Sequence, residues 1–387
     1  MAEENKLELS ELSFDQLGIG EKLLRGIYGY GFEKPSMIQH KSIPVLRSGK
    51  DVIAQAQSGT GKTGAFSIGS LCNVDETLKN TQILVLSPTR ELAEQTYQVM
   101  KELSSYTDIT FCKVVGGTRV NDCISDLRKD PQVIVGTPGR VIDMLSKNYI
   151  YTDKLKTIVI DEADEMLSQG FQEMIHLIFQ RIPKETQVAL FSATFPDELI
   201  EITTKFMDSP ERILVKKEQL TLEGISQYFI NVQHNNWKYD VLTDIYNTIN
   251  IAQCIIYINS KKMLTQVYQA LTSDNFPVGM IHGNLMTKER EDIMNQFRQG
   301  EIRILLSTDL LSRGIDVQQL SLVINYDLPI QKETYIHRIG RSGRYGRKGV
   351  AINFVTERDL QSLDELQKFY NTNIEVMPQN IGEIISA

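Results

Sequence analysis

From residue 50 to about residue 195, short apolar runs alternate with longer amphipathic stretches. The runs are Val52–Ala54, Ile83–Leu86, Phe111–Val115, Val133–Val135, Ile158–Ile160 and Val188–Phe191. Most are rich in β-branched residues and continuously apolar, as a strand buried on both faces must be. The stretches between them suit helices, so the alternation predicts a parallel sheet with helices on both sides. The polar segment Lys216–Gly224 ends in Gly and reads as a linker. Alternation resumes at Cys254–Ile258, Val278–Ile281, Ile302–Leu306, Leu322–Asn325 and Val350–Val355. The expected organisation is α/β: one domain over 1–215, a linker over 216–224, and a second domain of similar plan over 225–387. A chain of 387 residues is too long for one ordinary core, which agrees with two domains.

Composition narrows the class. A hydrophobic share of 41% and a charged share of 23% are those of a soluble globular protein. No apolar run approaches a membrane span. The acidic start MAEENKLELS does not read as a signal peptide, and IGEIISA carries no lipidation signal. Cys72, Cys112, Cys123 and Cys254 are scattered, form no C-x-x-C, and read as reduced core thiols. The five histidines lack zinc-ligand spacing. The net charge of −8 argues mildly against nucleic acid as a partner, although a local basic cleft is compatible with it.

The candidate chemistry begins after the first run. Ala56-Gln57-Ser58-Gly59-Thr60-Gly61-Lys62-Thr63 is a phosphate-binding loop with Ala in place of its first Gly. Glycines let backbone N–H groups face phosphate oxygens. Lys62 can neutralise phosphate, the Thr63 hydroxyl can hold magnesium, and a helix starting here adds its positive end. The fifth run stops at Asp161-Glu162, with Asp164 two places on, where open α/β sheets bind ligands. One carboxylate can steer a metal and the other can activate water. Upstream, Gly31-Phe32-Glu33-Lys34-Pro35 and Ile38-Gln39 offer an aromatic ring and an amide suited to adenine. Read alone, these are an ordinary helix start with a core Phe.

Three segments follow strands and open toward helices: Pro88-Thr89-Arg90, Gly116-Gly117 and Thr137-Pro138-Gly139-Arg140. Their hydroxyls, N–H groups and guanidinium groups suit a nucleic-acid backbone. Ser192-Ala193-Thr194 places two hydroxyls near the acid pair. The second domain has Ser307-Thr308-Asp309 and Arg313-Gly314-Ile315-Asp316, where Thr308 can donate to phosphate and Asp316 can accept from ribose. It also carries the densest basic signal, His337-Arg338-Ile339-Gly340-Arg341-Ser342-Gly343-Arg344. Arginines at these spacings do not suit a packed face. Arg341 and Arg344 suit fingers that stabilise charge on a γ-phosphate.

In this order the motifs GFEKPSMIQ, AQSGTGKT, PTREL, GG, TPGR, DEAD, SAT, STDLLSRGID and HRIGRSGR resemble the DEAD-box RNA helicases of superfamily two, from about Phe14 to Pro378. ILVKKEQLTLEGISQ, RGIDVQQLSLVINYDLP and GRKGVAINFVTERD resemble members that act in translation initiation; the alternative is an ATP-gated RNA clamp of an mRNA–protein complex. The resemblance implies two RecA-like domains, each a mainly parallel sheet with helices on both faces, and an RNA-stimulated ATPase that unwinds short duplexes. It implies ATP and Mg2+ as cofactors, with Phe32, Lys34, Gln39, Ser58, Gly59, Thr60, Gly61, Lys62, Thr63, Gly314 and Asp316 at the nucleotide and Thr63 and Asp161 at the metal. It gives Lys62, Asp161, Glu162, Arg341 and Arg344 catalytic roles, and Asp164, Ser192, Thr194 and His337 a coupling role. Pro88, Thr89, Arg90, Gly117, Thr137, Arg140, Gly283 and Thr308 would contact single-stranded RNA without sequence preference. A scaffold protein of the initiation-factor type, a monomeric state and a cytoplasmic location (nuclear for the clamp) are further implications. Departures are Ser312 for the usual Ala, Asn259-Ser260-Lys261-Lys262 where Thr and at least one Arg are usual, and Phe191 and Phe195 around Ser-Ala-Thr. The lysines put one RNA contact in question, since Lys lacks the bidentate grip of Arg.

Overall fold

The apolar runs become strands because residues on either side of each strand enter separate cores. Val52, Ala54, Val85, Val135 and Val159 pack into one cluster, while Ile53, Leu84, Leu86, Ile134 and Ile158 pack into another. Successive side chains point to opposite faces, so both registers must be apolar when helices cover both faces. The computed structural model describes residues 13–56, 59–168, 170–204, 206–213, 225–248, 251–309, 320–340 and 349–378. The chain divides into two units, Met1–Val215 and Lys216–Ala387.

In the first unit the described strands are β1 (Val52–Gln55), β2 (Ile83–Leu86), β3 (Phe111–Val114), β4 (Val133–Gly136), β5 (Thr157–Asp161), β6 (Gln187–Ser192) and β7 (Glu211–Ile213). They form one parallel sheet in the order β3-β4-β2-β5-β6-β1-β7. In the second unit they are β8 (Ile225–Gln233), β9 (Cys254–Tyr257), β10 (Val278–Ile281), β11 (Ile304–Ser307), β12 (Leu322–Asn325), β13 (Gly349–Thr356) and β14 (Glu375–Val376). Their order is β10-β11-β9-β12-β13-β8-β14, again parallel. Counting from each unit's first strand, the two orders are the same, so the chain repeats one architecture.

Three strands lack the apolar signature. β7 and β14 are short and lie at sheet edges, where half their backbone groups go unpaired and their side chains stay largely exposed. β8 mixes buried Tyr228 and Val232 with exposed positions, and its polar content hides it. A further correction concerns the basic segment at 337–344. The helix Lys332–Ile339 buries Thr334 through Ile339, His337 and Arg338 included, so its first arginine belongs to a packed face after all. No helix among the described residues is long and apolar enough to cross a membrane.

Candidate functional site

Because all strands in a sheet run the same way, the loops leaving their carboxyl ends share one edge. In the first unit that edge falls into two neighbouring groups. One is served by the adjacent strands β5, β6 and β1, the other by β3, β4 and β2.

The first group starts where β1 ends. Gly61 takes φ 97°, a left-handed conformation natural to Gly, and the helix Lys62–Leu71 starts directly after it. Gln39 lies against this turn. Its Nε2 donates to the Gly61 carbonyl at 3.3 Å, and its Oε1 accepts from the Ser36 N–H at 2.8 Å as part of a capping box. A Cβ at Gly64 would fall 2.6 Å from Gln39 Nε2 and 2.9 Å from the Phe32 ring. The amide expected to face adenine is thus half committed to the loop, and among the described residues it keeps one N–H and one lone pair for another partner. The Phe32 ring stacks on Phe14 at 6.3 Å and meets Tyr30 edge-on at 4.9 Å.

Lys62 is 7% exposed, and its Nζ has no hydrogen-bond partner among the described residues. A buried ammonium without one is costly unless a ligand supplies it. At the end of β5, Asp161 and Glu162 are 3% and 4% exposed. Glu162 adopts φ 47°, unusual for a residue with a side chain, and its N–H donates to Asp161 Oδ1 at 2.9 Å. Burial raises the Asp161 carboxyl above its usual range; the Glu162 carboxylate adds to this, and the Lys62 ammonium opposes it. Two buried acids facing one buried base leave room for a further cation beside a phosphate, and the Thr63 hydroxyl begins the same helix. The donor set therefore fits a nucleoside triphosphate with a divalent ion: hard oxygen donors for the metal and an ammonium for the phosphate.

Ser192 and Thr194 link these pieces. Ala56 N–H donates to the Ser192 carbonyl at 3.1 Å, and Gln55 Nε2 donates to the Ala193 carbonyl at 3.1 Å. Thr194 Oγ1 donates to Asp164 Oδ2. The phosphate loop, the Ser-Ala-Thr turn and the acid helix are thereby joined by hydrogen bonds. Gln55 went unnoticed in the sequence; its signal is a polar side chain closing an apolar strand.

The second group gathers the three expected RNA segments. Thr89 caps the helix Arg90–Leu103 by accepting from the Leu92 N–H at 3.2 Å. The Arg90 guanidinium lies beside Gly116, where an added Cβ would meet it at 3.3 Å. Arg140 donates to the Thr118 carbonyl at 3.2 Å, and Gly117 between them has φ 79°. Pro88 is buried below, and Thr137 caps the helix Pro138–Ser146 without using its side chain. An arginine held beside each side of a glycine turn presents positive charge along a line of helix starts.

The second unit repeats the arrangement after β9, β10 and β11. Ser260 caps the helix Lys261–Ser273 by accepting from Met263 N–H at 3.4 Å. Lys261 Nζ donates to Asn284 Oδ1 at 2.8 Å, placing it beside Gly283. Thr308 follows β11 directly. Ser58, Ser312, Gly314, Asp316, Arg341, Arg344 and the linker 216–224 lie outside the described residues. Lys34 is exposed, and His337 is buried in its helix.

Two family models match this chain: DEAD/DEAH box helicase over residues 36–202, and helicase conserved C-terminal domain over residues 237–346. The ATP-dependent RNA helicase eIF4A of Meyerozyma guilliermondii is 53% identical over 374 residues, covering 97% of this chain and 94% of that protein. Eukaryotic initiation factor 4A of Caenorhabditis elegans is 52% identical over 373 residues, covering 96% and 93%. Among solved structures, S. cerevisiae Dbp5 bound to RNA and ADP BeF3 superposes with a TM-score of 0.91 at 37% identity, covering 97% of this chain and 98% of that one.

Proposed function

This chain belongs to the DEAD/DEAH box helicase family, and from that premise we propose that it is an ATP-dependent RNA helicase acting in translation initiation. The observation that carries the reading is the buried Lys62 ammonium, without a hydrogen-bond partner among the described residues, beside the buried acids Asp161 and Glu162. Near-full-length similarity to proteins named as initiation-factor helicases supports the choice of pathway over the clamp alternative.

In this reading, Phe32 and Gln39 hold adenine, and Lys34 also contacts the nucleotide. Ser58, Gly59, Thr60, Gly61, Lys62 and Thr63 hold the phosphates, and Gly314 and Asp316 also bind the nucleotide. Thr63 and Asp161 would hold magnesium, which supplies charge neutralisation at the phosphates. Glu162 orients or deprotonates the attacking water. Arg341 and Arg344 stabilise the charge that develops on the transferred phosphoryl group. Asp164, Ser192, Thr194 and His337 pass the nucleotide state to the rest of the molecule. Pro88, Thr89, Arg90, Gly117, Thr137, Arg140, Gly283 and Thr308 grip ribose and phosphate, so binding is indifferent to base sequence. A scaffold protein, a monomeric state and a cytoplasmic location complete the proposal.

The test is steady-state ATP hydrolysis with single strands of ribose or deoxyribose backbone. Stimulation by RNA well above that by DNA is expected. No stimulation, or equal stimulation by both, overturns the helicase reading. RNA that stays bound for many minutes after ATP is added points instead to the clamp.

A further inference from the structure

Arg338 is fully buried, which is unusual for a side chain that cannot give up its charge. Its guanidinium is nearly saturated. Nε donates to Asp309 Oδ1 at 2.6 Å. One terminal nitrogen donates to the Asp327 carbonyl at 2.7 Å and Asn325 Oδ1 at 3.2 Å, and the other to Asn259 Oδ1 at 2.6 Å. The group also lies 5.2 Å from the centre of the Tyr257 ring. These partners stand at the carboxyl ends of three neighbouring strands, β9, β11 and β12, while Arg338 stands on the helix Lys332–Ile339.

The partners are held in turn. Asn259 donates through Nδ2 to the Leu328 carbonyl at 2.8 Å, and its N–H donates to Asp327 Oδ2 at 3.1 Å. Lys238 pairs with Asp327 Oδ1 at 2.8 Å. The network thus closes from Lys238 through Asp327, Asn259 and Arg338 to Asp309. Two of its members adjoin the second unit's proposed RNA contacts: Asn259 is one residue before Ser260, and Asp309 is one residue after Thr308. The helix bearing Arg338 leads, three and six residues on, to Arg341 and Arg344.

We infer that Arg338 is a positioning residue that locks the loops around Ser260–Lys261 and Thr308 to the helix Lys332–Ile339, which precedes the finger arginines in the sequence. It touches neither phosphate nor RNA. Its forked donors set the spacing of two RNA-facing loops and tie that spacing to the helix just before Arg341 and Arg344 in the sequence. A lysine could keep the charge but not the fork. The inference rests on the helicase reading for what the loops bind.

The experiment uses the full chain with Arg338→Lys, Asp309→Asn and the double variant. Three quantities are read: thermal stability, affinity for a fluorescent ATP analogue without RNA, and the RNA concentration giving half-maximal ATPase stimulation. Asp309 is part-exposed, so Asp309→Asn is expected to fold even if Arg338→Lys does not. Each single variant should raise the half-maximal RNA concentration about tenfold and leave nucleotide affinity within twofold. The double variant should be no worse than the worse single, as expected for two ends of one contact. Lower thermal stability with unchanged RNA half-saturation in Asp309→Asn would reduce the network to a structural brace and overturn the inference. Independent, multiplying effects in the double variant would do the same. If the unaltered protein shows no RNA stimulation, it is the helicase reading that fails.

Discussion

Lys62 begins the helix after β1, and Lys238 begins the helix soon after β8, the strands that hold matching places in the two sheets. Each lysine is buried, and each has an aspartate at the end of the fifth strand or just beyond it: Asp161 for one, Asp327 for the other. The fates of the two ammonium groups differ. Lys62 Nζ has no hydrogen-bond partner among the described residues, whereas Lys238 Nζ is paired with Asp327 at 2.8 Å. Local sequence makes the difference. In the first unit a glycine loop precedes the lysine and a second acid follows the aspartate. In the second unit His234-Asn235-Asn236-Trp237 replaces the loop, and Arg338 and Asn259 fill the strand ends with side chains. One architecture therefore yields a site open to a ligand and a site closed on itself.

The comparison can be broken at several points. Glu162→Gln should cut ATP hydrolysis by about a hundredfold or more while nucleotide binding persists, as expected when a general base is lost. A parallel loss of binding would mean that Glu162 holds the ligand and does not act on water. Lys238→Met should lower stability in denaturant unfolding by about 3 kcal/mol, because removing one partner strands a partly buried carboxylate. It should leave ATP affinity within twofold; a large loss of affinity would give the second unit a nucleotide role of its own. Gly64→Ala adds a methyl group into Gln39 and Phe32 and should raise the ATP concentration for half-maximal hydrolysis about tenfold, read from initial rates. Unchanged kinetics would show that the Gln39 contact is dispensable. The smallest effect belongs to Lys261→Ala, which should weaken RNA binding a few-fold and lower the slope of log affinity against log salt by about 1. An unchanged slope would remove Lys261 from the backbone track.

The layered α/β plan was legible because strands covered on both faces must be apolar throughout, as Ile158-Val159-Ile160 is. The same physics hid β7, β8 and β14, which are edge or mixed strands that never needed a continuous run. The phosphate loop and acid pair were legible because glycine, lysine and adjacent carboxylates at strand ends serve few other purposes together. Gln39 was harder: its amide serves a helix cap and the Gly61 carbonyl at once, and only the fold brings residues 39 and 61 into contact. Arg338 was misread because a basic run looks solvated in sequence. Its burial depends on Asp309, Asn259, Asn325 and Asp327, which converge only when three strands end side by side.

The contrast between an open and a closed lysine is tested most directly by counting nucleotides. Titration calorimetry of the full chain with a non-hydrolysable ATP analogue should give one site per chain, lost or weakened at least a hundredfold by Lys62→Ala and untouched by Lys238→Met. Two sites per chain, or binding that survives Lys62→Ala undiminished, would contradict the account.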